Sequence, residues 1–128
     1  MPMSYLRDDR QRIVRVTLTP PITAGEAAVG LYRMAAEKTW RYGLIVDLRR
    51  TVLGEHGARA LLETARELVV TSGVMGPVAV VTWDPAAFER AAKYAELARD
   101  FSAAVEVFHH LSEAERWLEA QLGASAAE

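Results

Sequence analysis

The stretch Gly43-Leu-Ile-Val-Asp-Leu48 decides the fold of this chain. It is an apolar run that only Asp47 interrupts. Such a run is typical of a strand whose two faces are both covered, as in sheets with parallel neighbours. The rest of the fold is predicted by working outward from this strand.

Helix signals flank the strand on both sides. Thr23 and Glu26 have the spacing of a capping box, which predicts a helix that runs to about Arg41. After the strand, apolar residues recur at helical spacing through Glu55–Ser72, and Gly73 follows as a natural C-terminal cap. A strand between two helices is the repeating unit of a parallel sheet.

Four more strands are predicted around this unit. A short strand over Met3–Arg7 and an alternating one over Arg12–Leu18 are separated by turn residues, so the first should be antiparallel. Pro77–Trp83 is a second apolar run, and Val105–Phe108 is short and contains a glutamate, as expected of an edge strand. The sheet should therefore be mixed, with the first strand antiparallel and the rest mainly parallel.

Two further helices complete the order β-β-α-β-α-β-α-β-α. Asp84 is placed to cap the third helix, and Pro85 occupies its first position, where a missing N–H has no cost. Ser112 and Glu115 have capping-box spacing and predict the start of the last helix. The predicted fold class is α/β, with a five-stranded mixed sheet covered by four helices.

The third helix has apolar residues on two faces. One is a stripe of mostly small side chains, and the second is expected on roughly the opposite side. One face should pack on the sheet, and the other is free for neighbouring elements, a partner or a ligand. Small side chains also leave room for an apolar pocket or a mobile lid. The stripe is Phe88, Ala91, Ala92, Ala95 and Ala98, and the second face is Tyr94, Leu97 and Phe101.

Length and composition exclude several classes of protein. The chain has 128 residues, which predicts one domain over residues 1–122 and a flexible tail over 123–128. It has no cysteine, so it offers neither disulfides nor thiolate chemistry. Its net charge is −2, without the basic stripe of a nucleic-acid binder. No apolar run predicts an integral membrane segment or a signal peptide, so we expect a cytoplasmic protein.

The order of elements resembles the STAS superfamily, and most closely its SpoIIAA-like branch of small stand-alone bacterial proteins. Two stretches carry the resemblance: Tyr42-Gly-Leu-Ile-Val-Asp-Leu48, and the ending from Val105 to Leu118 with its Glu-Ala-Glu-Arg-Trp-Leu helix. The resemblance implies a STAS-like fold and a non-enzymatic, regulatory binding module.

The chain departs from that family at the start of the second helix. Anti-sigma-factor antagonists carry a phosphorylatable Ser there, within an Asp-Ser-x-Gly-type motif. Here the matching stretch is Gly54-Glu-His-Gly57, so Glu55 stands where that Ser would be and Gly57 matches the Gly. A phosphorylation switch at this position is therefore not expected.

The candidate binding site is the rim beyond the carboxyl ends of the parallel strands, where ligands collect in open α/β sheets. We expect this rim to bind a protein partner or a small, partly apolar ligand. Its candidate residues are Asp47, Arg49, Arg50, Thr51, Glu55, His56, Trp83 and Asp84.

Other kinds of site have weaker support in the sequence. A metal site drawn from His56, His109, His110 and Asp84 lacks ligand spacing, and adjacent histidines on a strand point to opposite faces. An anion at the start of the second helix would meet Glu55. No catalytic residue, metal ligand or cofactor is predicted.

Three functions remain open at this point. The leading hypothesis is the non-enzymatic binding module. The first alternative is a carrier of lipid or of a small apolar ligand, and the second is a small hydrolase or metal enzyme using His56 and Asp47. The sequence also leaves open a homodimer formed through an edge strand or the third helix.

Overall fold

Strands and helices alternate along the chain in the computed structural model, which describes residues 3–102 and 104–127, with side chains through residue 123. The strands are β1 (Met3–Asp8), β2 (Ile13–Leu18), β3 (Gly43–Asp47), β4 (Val78–Val81) and β5 (Val105–Phe108). The helices are α1 (Ala24–Glu37), α2 (Glu55–Ser72), α3 (Pro85–Ala98) and α4 (Leu111–Ala127).

The five strands form one mixed sheet in the order β1-β2-β3-β4-β5. β1 pairs with β2 in antiparallel register, and every later pair is parallel. β3 lies at the centre, and all of its residues are buried. The predicted fold class, element order and mixed sheet are therefore confirmed.

The order of the strands explains where the helices lie. From β2 to β5 each strand is added on the same side of the previous one, so right-handed crossovers put α1, α2 and α3 on one face. Leu44 and Val46 belong to the core under those helices. Ile45 points to the other face, where α4 covers it with Ala114 and Leu118.

Local signals at two helix starts act as predicted. The Thr23 hydroxyl accepts a hydrogen bond from the Glu26 N–H, and the Glu26 carboxylate accepts one from the Thr23 N–H. Asp84 accepts a hydrogen bond from the N–H of Ala87 at the start of α3. Each bond satisfies a backbone donor that the helix itself leaves unpaired.

Several predicted boundaries differ from the structure, by one residue at β1 and β2 and by more at α1, β4 and α4. α1 ends at Glu37 instead of near Arg41, because Lys38 adopts the left-handed conformation that terminates helices. β4 ends at Val81, before Trp83. α4 runs from Leu111 to Ala127, so Ser112 lies inside its first turn and is not the N-cap.

α2 packs mainly on α1 and α3 and lies on the same face of the sheet as they do. Its first turn is held by Leu53, whose side chain lies where a Cβ on Gly57 would stand. Among the described residues, none of the helices has the length and hydropathy needed to cross a membrane.

Candidate functional site

The sheet separates the predicted rim residues into two sets. Val46 and Leu48 pack toward α1, α2 and α3, so Asp47 between them faces the α4 side of the sheet. Its partner in the β3–β4 register is Val81, which also packs toward α4. Glu55 begins α2 on the opposite side. Among the described residues, no hydrogen bond or ion pair joins Asp47 or Arg49 to Glu55.

Asp47 and Arg49 form a two-bond ion pair at the end of β3. Arg49 Nε lies 2.9 Å from Oδ1 and Nη2 lies 2.8 Å from Oδ2, and the Arg49 N–H also donates to Oδ1. Asp47 is only 7% exposed. Burial raises the pKa of Asp47, but the hydrogen bonds from Arg49 and the charges of Arg49 and Arg50 outweigh it, so the net pKa is lowered. The Asp47 carboxylate is therefore already paired with Arg49.

Trp83 joins this set from the end of β4. Arg49 Cζ lies 5.8 Å from the centre of the Trp83 ring, within the range of a cation–π contact. The Trp83 side chain is 62% exposed, and Val52 in the neighbouring loop is 60% exposed. This part of the rim is consequently an exposed aromatic and cationic surface.

The remaining rim residues have structural or solvent-facing positions. Arg50 is exposed, and the Thr51 N–H donates to the Leu48 carbonyl. His56 is exposed in the first turn of α2, and among the described residues no hydrogen bond joins it to Asp47. Asp84 serves as the N-cap of α3.

Glu55 is the centre of the second set, which bridges α2 and α3. The Tyr94 hydroxyl donates to Glu55 Oε1 at 2.5 Å. Arg90 Nε lies 3.4 Å from Oε2, and Arg59 Nη2 lies 4.0 Å from Oε1. The hydrogen bond from Tyr94 lowers the pKa of Glu55 most, and the charges of Lys93, Arg90 and Arg59 lower it further.

A cavity of about 120 Å³ lies behind this bridge, between the sheet, α2 and α3. Its walls are apolar apart from the Tyr94 and Ser102 side chains, and the Ser102 hydroxyl donates to the Gly76 carbonyl. The sheet supplies Leu44, Val46, Leu48, Val78, Val80 and Val105; α2 supplies Ala58, Leu61, Leu62 and Ala65; α3 supplies Ala91, Tyr94, Ala95 and Ala98.

The lining of the cavity follows the strands. Leu44 and Leu48 both line it, and four residues of extended chain span about 13 Å. On α3, Ala91 and Ala98 are separated by about 10 Å along the helix axis. Met75 and Phe101 line the end near the start of the strands, whereas Leu48 and Leu53 line the end near the rim.

The predicted second apolar face of α3 is wrong for Tyr94 and Phe101. Tyr94 and Phe101 do not lie opposite the alanines, because both line the same cavity as Ala91, Ala95 and Ala98. Tyr94 is three or four residues from two of these alanines, which places it on their face. Phe101 follows the end of α3 and turns back into the core. Leu97 is the residue that points outward, and it is 44% exposed.

Sequence reasoning missed Arg59 and Arg90 as site residues, and it named Tyr94 only as a face of α3. A spacing signal was present, because Glu55 and Arg59 stand at i and i+4 on α2. No comparable signal links Glu55 to Arg90 or Tyr94, since that contact depends on how α2 and α3 cross.

No group of three or more His, Asp or Glu side chains suited to a metal ion occurs within residues 3–102 and 104–127. His109 stacks on Phe88, with ring centres 4.2 Å apart. Comparison with family models, with curated proteins and with solved structures finds no match to this chain.

Proposed function

We propose that this chain is a non-enzymatic binding module that holds a small apolar ligand in the cavity between the sheet, α2 and α3. The observation that carries the proposal is the cavity itself, with its almost entirely apolar wall. Ligand sites are typically concave and mostly apolar, with a small number of polar groups that fix orientation. Tyr94 is such a group here, because its ring lines the wall and its hydroxyl contacts Glu55.

The apolar lining supports an occupant. Side chains that face empty space lack the dispersion contacts that partner atoms would supply. A ligand that fills the cavity would supply those contacts and stabilise the fold.

Membership of the STAS superfamily is part of this proposal. The β-β-α-β-α-β-α-β-α order supports it, as do the residues of β3 and of the β5–α4 ending. In this chain the position of the family's phosphorylatable Ser is held by Glu55, which is bonded to α3. Ligand occupancy would then replace phosphorylation as the event that changes the α2–α3 surface.

A protein partner at the rim is the second candidate function. Exposed Trp83 beside Arg49 favours it, because aromatic and arginine side chains dominate the energetics of protein interfaces. The corresponding test is capture of a partner by the wild-type chain and by Trp83→Ala. Equal capture by both proteins would exclude this surface.

The cavity proposal is tested with 1-decanol as an uncharged apolar probe, using isothermal titration calorimetry and thermal unfolding. We expect saturable binding and a raised Tm for the wild-type chain. Ala95→Leu places a larger side chain in the cavity wall and should abolish both effects. The matched control is Ala86→Leu, an exposed alanine on the same helix, which should bind as the wild type does. Equal binding by Ala95→Leu, or no binding by the wild type, would overturn the proposal.

A further inference from the structure

We propose that the ligand is a single-chain fatty carboxylate, with its hydrocarbon chain along the cavity under α2 and its carboxylate beside Tyr94, Arg90 and Arg59. This inference rests on the proposed function, since it names the chemical class of the ligand for the same cavity.

The lining of the cavity favours a hydrocarbon chain. Apolar side chains line it along β3 from Leu44 to Leu48, about 13 Å apart, and along α3 from Ala91 to Ala98, about 10 Å apart. An unbranched hydrocarbon chain can follow this lining from the start of the strands toward the rim.

Tyr94 marks the place where the cavity meets the surface. Its ring lines the apolar wall, while its hydroxyl bonds a Glu55 side chain that is 46% exposed. A ligand with its chain in the cavity and its polar end in solvent would therefore have that end next to the Tyr94 hydroxyl.

Charge at this place favours an anion. Arg59, Arg90 and Lys93 all act on the one carboxylate of Glu55. Arg90 uses Nε on Glu55 and Nη1 on the Leu53 carbonyl, and a guanidinium has five N–H donors. Hydrogen-bond donors at this site consequently outnumber acceptors.

Glu55 itself shows which anion fits. Its carboxylate is held by a tyrosine hydroxyl and an arginine at the edge of an apolar cavity. A ligand carboxylate can make the same contacts, either beside Glu55 or in its place. In this interpretation Glu55 occupies the head-group position when the cavity is empty and competes with the ligand for Tyr94 and Arg90.

The experiment compares decanoate with 1-decanol at pH 7 by isothermal titration calorimetry on the full chain. We expect the wild type to bind decanoate at least about threefold more tightly. Arg90→Gln should weaken decanoate about tenfold, as expected for a lost charge-assisted hydrogen bond, and should leave 1-decanol unchanged. Arg116→Gln, an exposed arginine on α4, is the matched control and should change neither affinity.

Glu55→Gln provides the sharper test, because it removes the competing charge and keeps an acceptor for Tyr94. We expect it to tighten decanoate binding and to leave 1-decanol unchanged, a gain that damage to the fold would not produce. If Arg90→Gln fails to fold, Arg59→Gln replaces it with the same expectation.

The two proposals fail in different ways. If the wild type binds 1-decanol as tightly as decanoate, or if Glu55→Gln weakens decanoate, the carboxylate inference is wrong and the apolar cavity proposal stands. If neither compound binds the wild type, both proposals are wrong.

Discussion

The hydroxyl of Tyr94 in α3 donates a 2.5 Å hydrogen bond to the carboxylate of Glu55 in α2. Behind this bond lies the apolar cavity, which the Tyr94 ring helps to line. One tyrosine thus joins the two helices that border the cavity.

The Tyr94–Glu55 bond should depend on pH at both ends of the scale. It lowers the pKa of Glu55 from its ordinary 4.5, so its contribution to stability is lost as the pH falls through the lowered value. It also raises the pKa of Tyr94 from 10.0, so the contribution is lost as the pH rises through the raised value. Between about pH 4.5 and pH 10 the contribution of this bond to stability is fully present.

Tyr94→Phe tests this pH window and keeps the ring in the cavity wall. We expect the pKa of Glu55 to move back toward 4.5, as measured by NMR titration of its side-chain carboxyl carbon. Tyr32→Phe, which alters an exposed tyrosine on α1, is the control and should leave Glu55 unchanged. An unshifted Glu55 in Tyr94→Phe would show that the bond does not form in solution.

Asp47→Ala should lower the free energy of unfolding by about 1–3 kcal/mol at pH 7, because it removes the acceptor of three hydrogen bonds from a buried position. The pKa of Asp47 is lowered, so this contribution should shrink as the pH falls below 3.8 and through the lowered value. Urea unfolding at several pH values measures both effects.

Arg50→Ala is the comparison for Asp47→Ala, since Arg50 is exposed and acts on Asp47 only through its charge. Its effect should stay within about 0.5 kcal/mol. A loss from Arg50→Ala equal to that from Asp47→Ala would contradict the assignment of the stabilising pair to Arg49.

Two glycines near helix starts should respond differently to alanine. Gly25→Ala in α1 meets open space and should stabilise the fold by a few tenths to about 1 kcal/mol, through higher helix propensity. Gly57→Ala in α2 meets the Leu53 side chain, which must shift at the rim end of the cavity. We expect no gain from Gly57→Ala, together with weaker binding of 1-decanol.

These two variants are compared by thermal unfolding with and without 1-decanol. Equal stabilisation by Gly25→Ala and Gly57→Ala would mean that Leu53 moves aside without cost. The contact between Leu53 and the first turn of α2 would then have no role in shaping the cavity.

Filling the cavity should also change the stability of the ligand-free chain. Ala95→Leu puts three more carbons into the cavity, so we expect a gain of about 0.5–2 kcal/mol in urea unfolding. Ala86→Leu, on the exposed side of the same helix, should stay within about 0.5 kcal/mol. A clear loss from Ala95→Leu would indicate overpacking and a tighter site than the structure has.

Much of the fold was predictable because its signals are local. The alternation of Val14, Val16 and Leu18 identifies β2, and the Thr23–Glu26 spacing identifies the start of α1. The alternation of strands and helices then predicts parallel pairing from β2 to β5. The end of α1 was less predictable, since Lys38 adopts a left-handed conformation that lysine rarely favours.

The site was predictable only in part, because it depends on which face of the sheet each residue takes. Asp47 alternates with Val46 and Leu48, so the sequence already indicated that Asp47 faces the other side of the sheet from Glu55. Grouping the candidate residues by the strand ends they follow hid this difference. The cavity was indicated only by the alanines of α3. The rest of its lining comes from elements far apart in the chain, so the cavity depends on how those elements pack together.

The void under α2 has a mechanical consequence. The folded chain occupies more volume than its atoms need, and unfolding eliminates that excess, so hydrostatic pressure should favour the unfolded chain. An occupied cavity has little volume left to lose. Resistance to pressure would then report how full the space under α2 is, whatever molecule fills it.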